Sequence, residues 1–212
     1  DYSVTGLATY TQDVRFAYAA YSRFIQRFGK VVMEVEGQLV EDALTEARDQ
    51  AGVKFDNELM TEQLKEVVEV FKRILEKETG RSFPSDPREQ MGLAIQAVFS
   101  SWGNPRAVTY RRHYNISDDL GTAVNVQLMV FGNMGDDSGT GVAFTRNPST
   151  GEKQIFGDYL TNAQGEDVVA GIRKTKKLAD MKNEMPKVFG ELTGVMQKRE
   201  QHYRQMEDIE LT

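Results

Sequence analysis

Ala123-Val124-Asn125-Val126-Gln127-Leu128-Met129-Val130 is the stretch at which the chain changes its period. Val124, Val126, Leu128 and Val130 alternate with Ala123, Asn125, Gln127 and Met129, which predicts a strand with two different faces. A turn-rich segment, Gly132 to Gly139, follows it. Two more strand-like runs come next, Gly141 to Arg146, stopped by Asn147-Pro148, and Gln154 to Leu160. From Glu166 the pattern is helical again, and the tail from Leu178 to Gln205 reads as charged helix. Working outward to the N-terminal side, the period is that of helices. Phe16, Ala19, Ala20, Phe24 and Phe28 recur at steps of three and four and are followed by Gly29. Leu64, Val67, Val68, Phe71, Ile74 and Leu75 repeat the pattern, with Gly80 where a C-cap belongs. Asp86-Pro87 marks another helix start, with an apolar stripe through Met91, Ile95, Val98 and Phe99. Asn104-Pro105 opens a short basic helix holding Arg106, Arg111 and Arg112. The expected fold class is α+β: a helical subdomain over 1–100 and an antiparallel α+β part over 101–212.

Composition excludes several function classes. The chain has 212 residues and a net charge of −6, so the chain as a whole presents no basic field to nucleic acid or anionic lipid. With no Cys, disulfides, thiolate metal sites and cysteine nucleophiles are ruled out. Apolar runs such as Val31-Val32-Met33 are far too short to span a bilayer, and Asp1-Tyr2-Ser3 does not begin a signal peptide. The absence of an initiator Met suggests a fragment or a processed chain. A cytoplasmic setting is expected, or an organelle if the source is eukaryotic.

No P-loop, paired-glycine dinucleotide fingerprint or nucleophile elbow is present. His113 and His202 lack metal-ligand spacing and read as surface residues. Three other features are each open to two readings. Gly132 to Gly141 can cradle phosphate oxygens with backbone N–H groups, or it is simply a flexible hairpin. Asn162-Ala163-Gln164-Gly165-Glu166 can face an anion at a helix start, or it caps the helix with its own acidic residues. Asp208-Ile209-Glu210 puts two carboxylates on one face of an extended segment, a donor pair suited to Mg²⁺, or it is merely an acidic terminus.

The order of the strings is more specific than any of them. Ser101-Trp102-Gly103-Asn104-Pro105-Arg106-Ala107, Gly121 through Asn133, Ser138 through Glu152 and Asn162 through Gly171 together resemble the N-terminal nucleotide-binding domain of the pyruvate phosphate dikinase family. Arg15-Phe16-Ala17-Tyr18 and Val31-Val32-Met33-Glu34-Val35 extend the resemblance towards the N-terminus. It implies an ATP-grasp-like fold in which ATP lies between two lobes. By this resemblance Gln127, Met129 and Val130 meet the adenine, Gln164 and Glu166 border the nucleotide, and Asp208 and Glu210 hold metal–ATP. Mg²⁺ is the implied cofactor and ATP the substrate, with pyruvate and phosphate used by the parent enzyme. The implied reaction converts ATP, phosphate and pyruvate to AMP, diphosphate and phosphoenolpyruvate through a phosphohistidine located elsewhere. The family's phosphate-binding Lys and Arg have no match here, so this chain alone is expected to bind ATP weakly and to be inactive, with no catalytic residue of its own. The parent is expected to be a homo-oligomer. Phosphoenolpyruvate synthase and antibiotic phosphotransferases share the module and are the close alternatives; a non-catalytic helical docking module is the alternative of another class.

Overall fold

The helical period around Phe16 is realised as α2 (Val14–Val31). It starts where it does because Asp13, in extended conformation, accepts the Phe16 N–H at 2.8 Å. The computed structural model describes residues 2–169, 171 and 173–212, and the chain divides into two units, one ending at Val126 and the other spanning Gln127–Thr212. The first unit contains α1 (Tyr2–Thr11), α2, α3 (Gly37–Ala51), α4 (Thr61–Thr79), α5 (Pro87–Ser101) and α6 (Pro105–His113). Leu64, Val67, Val68, Phe71 and Leu75 of α4 are buried, as their spacing predicts, against Tyr21, Ile25 and Phe28 of α2. Gly80 ends α4 in the left-handed region, φ +67°, and donates its N–H to the Glu76 carbonyl at 2.8 Å.

Gly29 does not end α2, which continues to Val31. A Cβ at Gly29 would stand 2.5 Å from Leu75 Cδ2, so this glycine is a contact point that lets α2 and α4 approach closely. The Met91–Phe99 stripe also departs from expectation. Met91, Val98 and Phe99 are exposed, because α5 meets the core through Leu93 and Ala94 instead. Its one buried residue, Gln90, donates to the Pro84 carbonyl and accepts from the Ser3 hydroxyl. At the start of α5 the Asp86 carboxylate accepts the Arg88 N–H at 2.9 Å, with Pro87 in the first turn. Asp86→Ala is expected to cost about 1 kcal/mol of the helical unit's stability in urea denaturation.

The second unit is built on an antiparallel sheet. Its strands are β1 (Gly139–Phe144), β2 (Phe156–Thr161), β3 (Lys176–Lys177) and β4 (Asp208–Leu211), in the order β3-β2-β1-β4. Between them lie α7 (Gly165–Val169), α8 (Leu178–Glu184) and α9 (Pro186–Tyr203), so the charged tail is two helices divided at Pro186. Directly paired residues share a face. Ala143 pairs with Ile209 and Gly141 pairs with Tyr159 and Leu211, and this face packs on Leu178, Met181 and Met196 of α8 and α9. The α+β class is thus as expected. The strand expected over Ala123–Val130 does not form: the segment belongs to no ladder, with Leu128, Met129 and Val130 exposed. Alternation alone cannot make a strand, since its N–H and C=O groups need a neighbouring strand, and none among the described residues pairs here.

Candidate functional site

The sheet has a second face, formed by the other parity of each strand. Val142 pairs with Asp158 and Glu210, and Phe144 pairs with Phe156 and Asp208, so these six side chains share it. The Asp208-x-Glu210 pair is therefore extended, as its spacing predicts, and both residues are exposed on the edge strand while Ile209 and Leu211 turn inward. Their Cα atoms are about 7 Å apart along the strand. Among the described residues, no ion pair or side-chain hydrogen bond engages either one, whereas Glu200 and Glu207 nearby are paired with Arg146 and Arg199 at 2.7 and 2.9 Å. Two free carboxylates on one face suit a hard cation that completes its shell with phosphate oxygens and water. No group of three or more His, Cys, Asp or Glu residues able to hold a metal occurs among the described residues.

The start of α7 borders the same face, for a Cβ on Gly165 would lie 3.9 Å from Thr140 Oγ1, two residues along β1 from Val142. Gln164 is buried, and its Nε2 donates to Asn133 Oδ1 at 3.4 Å. Its backbone N–H donates to Asp167 Oδ2 at 2.9 Å, so Asp167 caps the helix and supplies the local negative charge. Glu166, one residue into α7, is half-buried. The glycine-rich loop folds on itself. Ser138 Oγ accepts from the Met134 N–H and donates towards the Gly132 and Gly135 carbonyls. Gly132 in turn accepts the Ala163 N–H at 2.9 Å, and the close pass excludes any Cβ, which would lie 2.5 Å from the Ala163 oxygen. The loop beginning at Gly132 and the α7 start are thereby stitched together, and the exposed segment carrying Gln127, Met129 and Val130 runs directly into that seam. These three residues lie neither on the sheet nor in a core.

Several structural groups escaped sequence reading. Arg111 belongs to no solvated basic face: it is buried, its guanidinium stacks 3.9 Å from the Trp102 ring centroid, and it donates to Asp118 Oδ1 at 2.6 Å and the Trp102 carbonyl at 2.7 Å. Tyr159 donates its hydroxyl to Glu184 at 2.9 Å, and burial pushes the phenol's pKa well above its usual value. Lys176, with Tyr159 second, holds the Glu184 carboxyl below the ordinary carboxylate range. Arg146, assisted by the Thr145 hydroxyl, does the same for Glu200. Both shifts are downward, so the stabilisation they bring is present above the unfolded carboxylate pKa and is lost as pH falls through the folded values. His113 and His202 are exposed, as expected.

Residues 19–189 match the family described as pyruvate phosphate dikinase, AMP/ATP-binding domain. The chain belongs to this family. Pyruvate, phosphate dikinase of Clostridium symbiosum is 50% identical over 213 residues, covering 100% of this chain and 24% of that protein. The chloroplastic enzyme of Mesembryanthemum crystallinum is 52% identical over 209 residues, covering 99% of this chain and 22% of that protein. Chloroplastic pyruvate, phosphate dikinase 1 of Arabidopsis thaliana is 51% identical over 212 residues, 100% of this chain and 22% of that protein. The chain thus spans roughly a quarter of the length of these relatives. The dikinase-family domain match stops before Asp208 and Glu210, which the pairwise similarity to the Clostridium and Arabidopsis enzymes includes. All three relatives are dikinases, so the synthase and antibiotic phosphotransferase alternatives are not favoured. No helix among the described residues is long and apolar enough to cross a membrane.

Proposed function

We propose that this chain supplies the adenine-facing and metal-facing walls of an ATP site in a pyruvate phosphate dikinase. The observation that carries the reading is the Asp208–Glu210 pair, exposed, without ion-pair partners and aimed to one side of an edge strand, in a chain of the AMP/ATP-binding domain family. Gln127, Met129 and Val130 offer the adenine one hydrogen-bonding amide and a polarizable apolar surface. Gln164 and Glu166 border the nucleotide from the α7 side, and Gln164 does so chiefly by fixing Asn133 and the glycine-rich loop. Mg²⁺ bound by Asp208 and Glu210 would neutralise charge on the phosphate oxygens. The carboxylates orient that charge, while the hydrophobic neighbours Val142, Phe144 and Phe156 limit water on the same face. This chain contributes binding and orientation, and no residue of it is assigned a covalent role. In the whole enzyme, phosphate and pyruvate are the other substrates, the phosphohistidine and remaining domains lie elsewhere, and the assembly is a homo-oligomer in the cytoplasm or an organelle. A docking module would use the open Met91–Phe99 stripe, but the family match accounts for residues 19–189, α5 included.

The test uses Mn²⁺–ATP as a paramagnetic probe of the 212-residue chain by NMR, at millimolar ligand. Asp208→Asn with Glu210→Gln should raise the midpoint for broadening of the β4 amides roughly tenfold or more, the loss of charge-assisted contacts. Gln127→Ala should raise it about threefold without changing the metal preference. An unchanged midpoint in the carboxylate variant would remove the metal assignment. For the whole reaction, the chain is placed in the Clostridium symbiosum relative in exchange for its matching quarter, and ATP-dependent AMP formation should fall in the same order.

A further inference from the structure

Among the described residues β4 is a four-residue edge strand with ladder partners on one side only, so its backbone ladder alone holds it weakly. Both of its ends are nonetheless tied by threonine side chains, one in β1 and one just past its end. At the far end the buried Thr140 donates its hydroxyl to the Leu211 carbonyl at 3.0 Å. At the near end Thr145, 5% exposed, makes a reciprocal clasp with the residue before the carboxylate pair. The Glu207 N–H donates to Thr145 Oγ1 at 3.0 Å, and the Thr145 N–H donates to the Glu207 carbonyl at 3.0 Å. Two further grips surround this clasp. Arg146 makes a forked contact to Glu200 near the end of α9, with Nε at 3.0 Å and Nη2 at 2.7 Å. Arg199 reaches the Glu207 carboxylate at 2.9 Å, and Gln205 donates to its other oxygen at 3.1 Å. Between Glu200 and Glu207 the chain reverses through Arg204, which is left-handed at φ +54°. That reversal is held on its helix side by Arg146, on its strand side by Thr145, and across by Arg199.

From this geometry we infer that Thr145 is a positioning residue for the metal-facing carboxylates, with Arg199 and the buried Glu207 completing the clamp that aims Asp208 and Glu210. The inference rests on the metal assignment proposed above. A lone edge strand free to slide by one residue would turn Asp208 and Glu210 from the open face to the packed face, and Ile209 and Leu211 the other way. The Thr145 clasp fixes the register at the residue next to Asp208. A donor pair with a fixed register meets a cation without first being ordered, which is why the clamp acts on affinity and not merely on folding.

Thr145→Val keeps the shape of the side chain and leaves the Glu207 N–H without its acceptor, and Thr145→Ser restores the hydroxyl. In the 212-residue chain, Thr145→Val should raise the Mn²⁺–ATP broadening midpoint roughly fivefold, and Thr145→Ser should return it to within about twofold of the parent value. Hydrogen exchange of the Ile209 and Leu211 amides should be roughly tenfold faster in the valine variant, with β1–β2 amides unchanged. If Thr145→Val does not give a folded chain by circular dichroism, Arg199→Gln, whose side chain is half in water, takes its place with the same expectation. A normal midpoint in the clamp variant, beside a raised one in Asp208→Asn with Glu210→Gln, overturns the positioning role and leaves the metal assignment standing. A normal midpoint in the carboxylate variant overturns both.

Discussion

Gly157→Ala is expected to lower the stability of the sheet unit by roughly 3–5 kcal/mol, a large effect for a single methyl group. Gly157 sits in β2 opposite Ala143, at φ +152°, a conformation that costs an L side chain on its own. The added Cβ would stand 2.1 Å from the Val142 carbonyl oxygen, 2.6 Å from Leu178 Cδ1 and 2.9 Å from the Ala143 Cα. Two of these three neighbours are backbone of the paired strand, so relief demands that β1 and β2 separate, which breaks the ladder that sets the Val142–Asp158 and Phe144–Phe156 pairs. Gly194→Ala in α9 is the control. No described residue lies within 4 Å of its Cβ, and the change should be neutral or stabilising by about 0.5–1 kcal/mol. Urea denaturation followed by the β1 and β2 amides in NMR reads both. If Gly157→Ala lost under 1 kcal/mol, the tight β1–β2 crossing described here would be wrong.

Phe71→Ala is expected to cost about 3–5 kcal/mol in the helical unit. Phe71 is 1% exposed in α4, inside a cluster with Tyr21, Ile25, Phe28 and Phe83. Truncation removes the ring's buried area and leaves a hole whose walls are held by two long helices, α2 and α4, so collapse into it is resisted. Hydrogen exchange should show α2 and α4 amides losing protection by a corresponding factor. The residues around β1 have their own core of Ala143, Tyr159, Leu178, Met181 and Met196, and their protection should change little. Equal loss in both units would contradict the presence of two separate cores.

Helices were legible because their hydrogen bonds close within four residues and their caps are local. Gly80 and Asp86-Pro87 act where the chain places them. The Asp208–Glu210 spacing was legible for the same reason, since any strand puts residues two apart on one side. What failed was each inference that needed a distant partner. The alternation of residues 123–130 is intact, yet no described strand lies beside it to take its hydrogen bonds. In the sequence Arg111 is one of three arginines on a short basic helix and Gly29 merely follows an apolar period; only folding brings Trp102 and Asp118 to the one and Leu75 of α4 to the other. The α5 stripe shows that an apolar period states only that one side is greasy, while the neighbours select which side is covered.

From the amino-acid sequence alone came the α+β class, the helical first half, the family resemblance and the carboxylate pair, because periodicity, capping and ordered motifs are carried by neighbouring residues. Only the tertiary structure decided that Asp208 and Glu210 stand on an open face of an edge strand, clamped at Thr145 and aligned with Val142 and Phe144. The reason is physical: sheet pairing and side-chain clamps join residues some sixty positions apart, such as Thr145 and Glu207, |i−j| = 62, and no local pattern encodes which of the possible partners will meet.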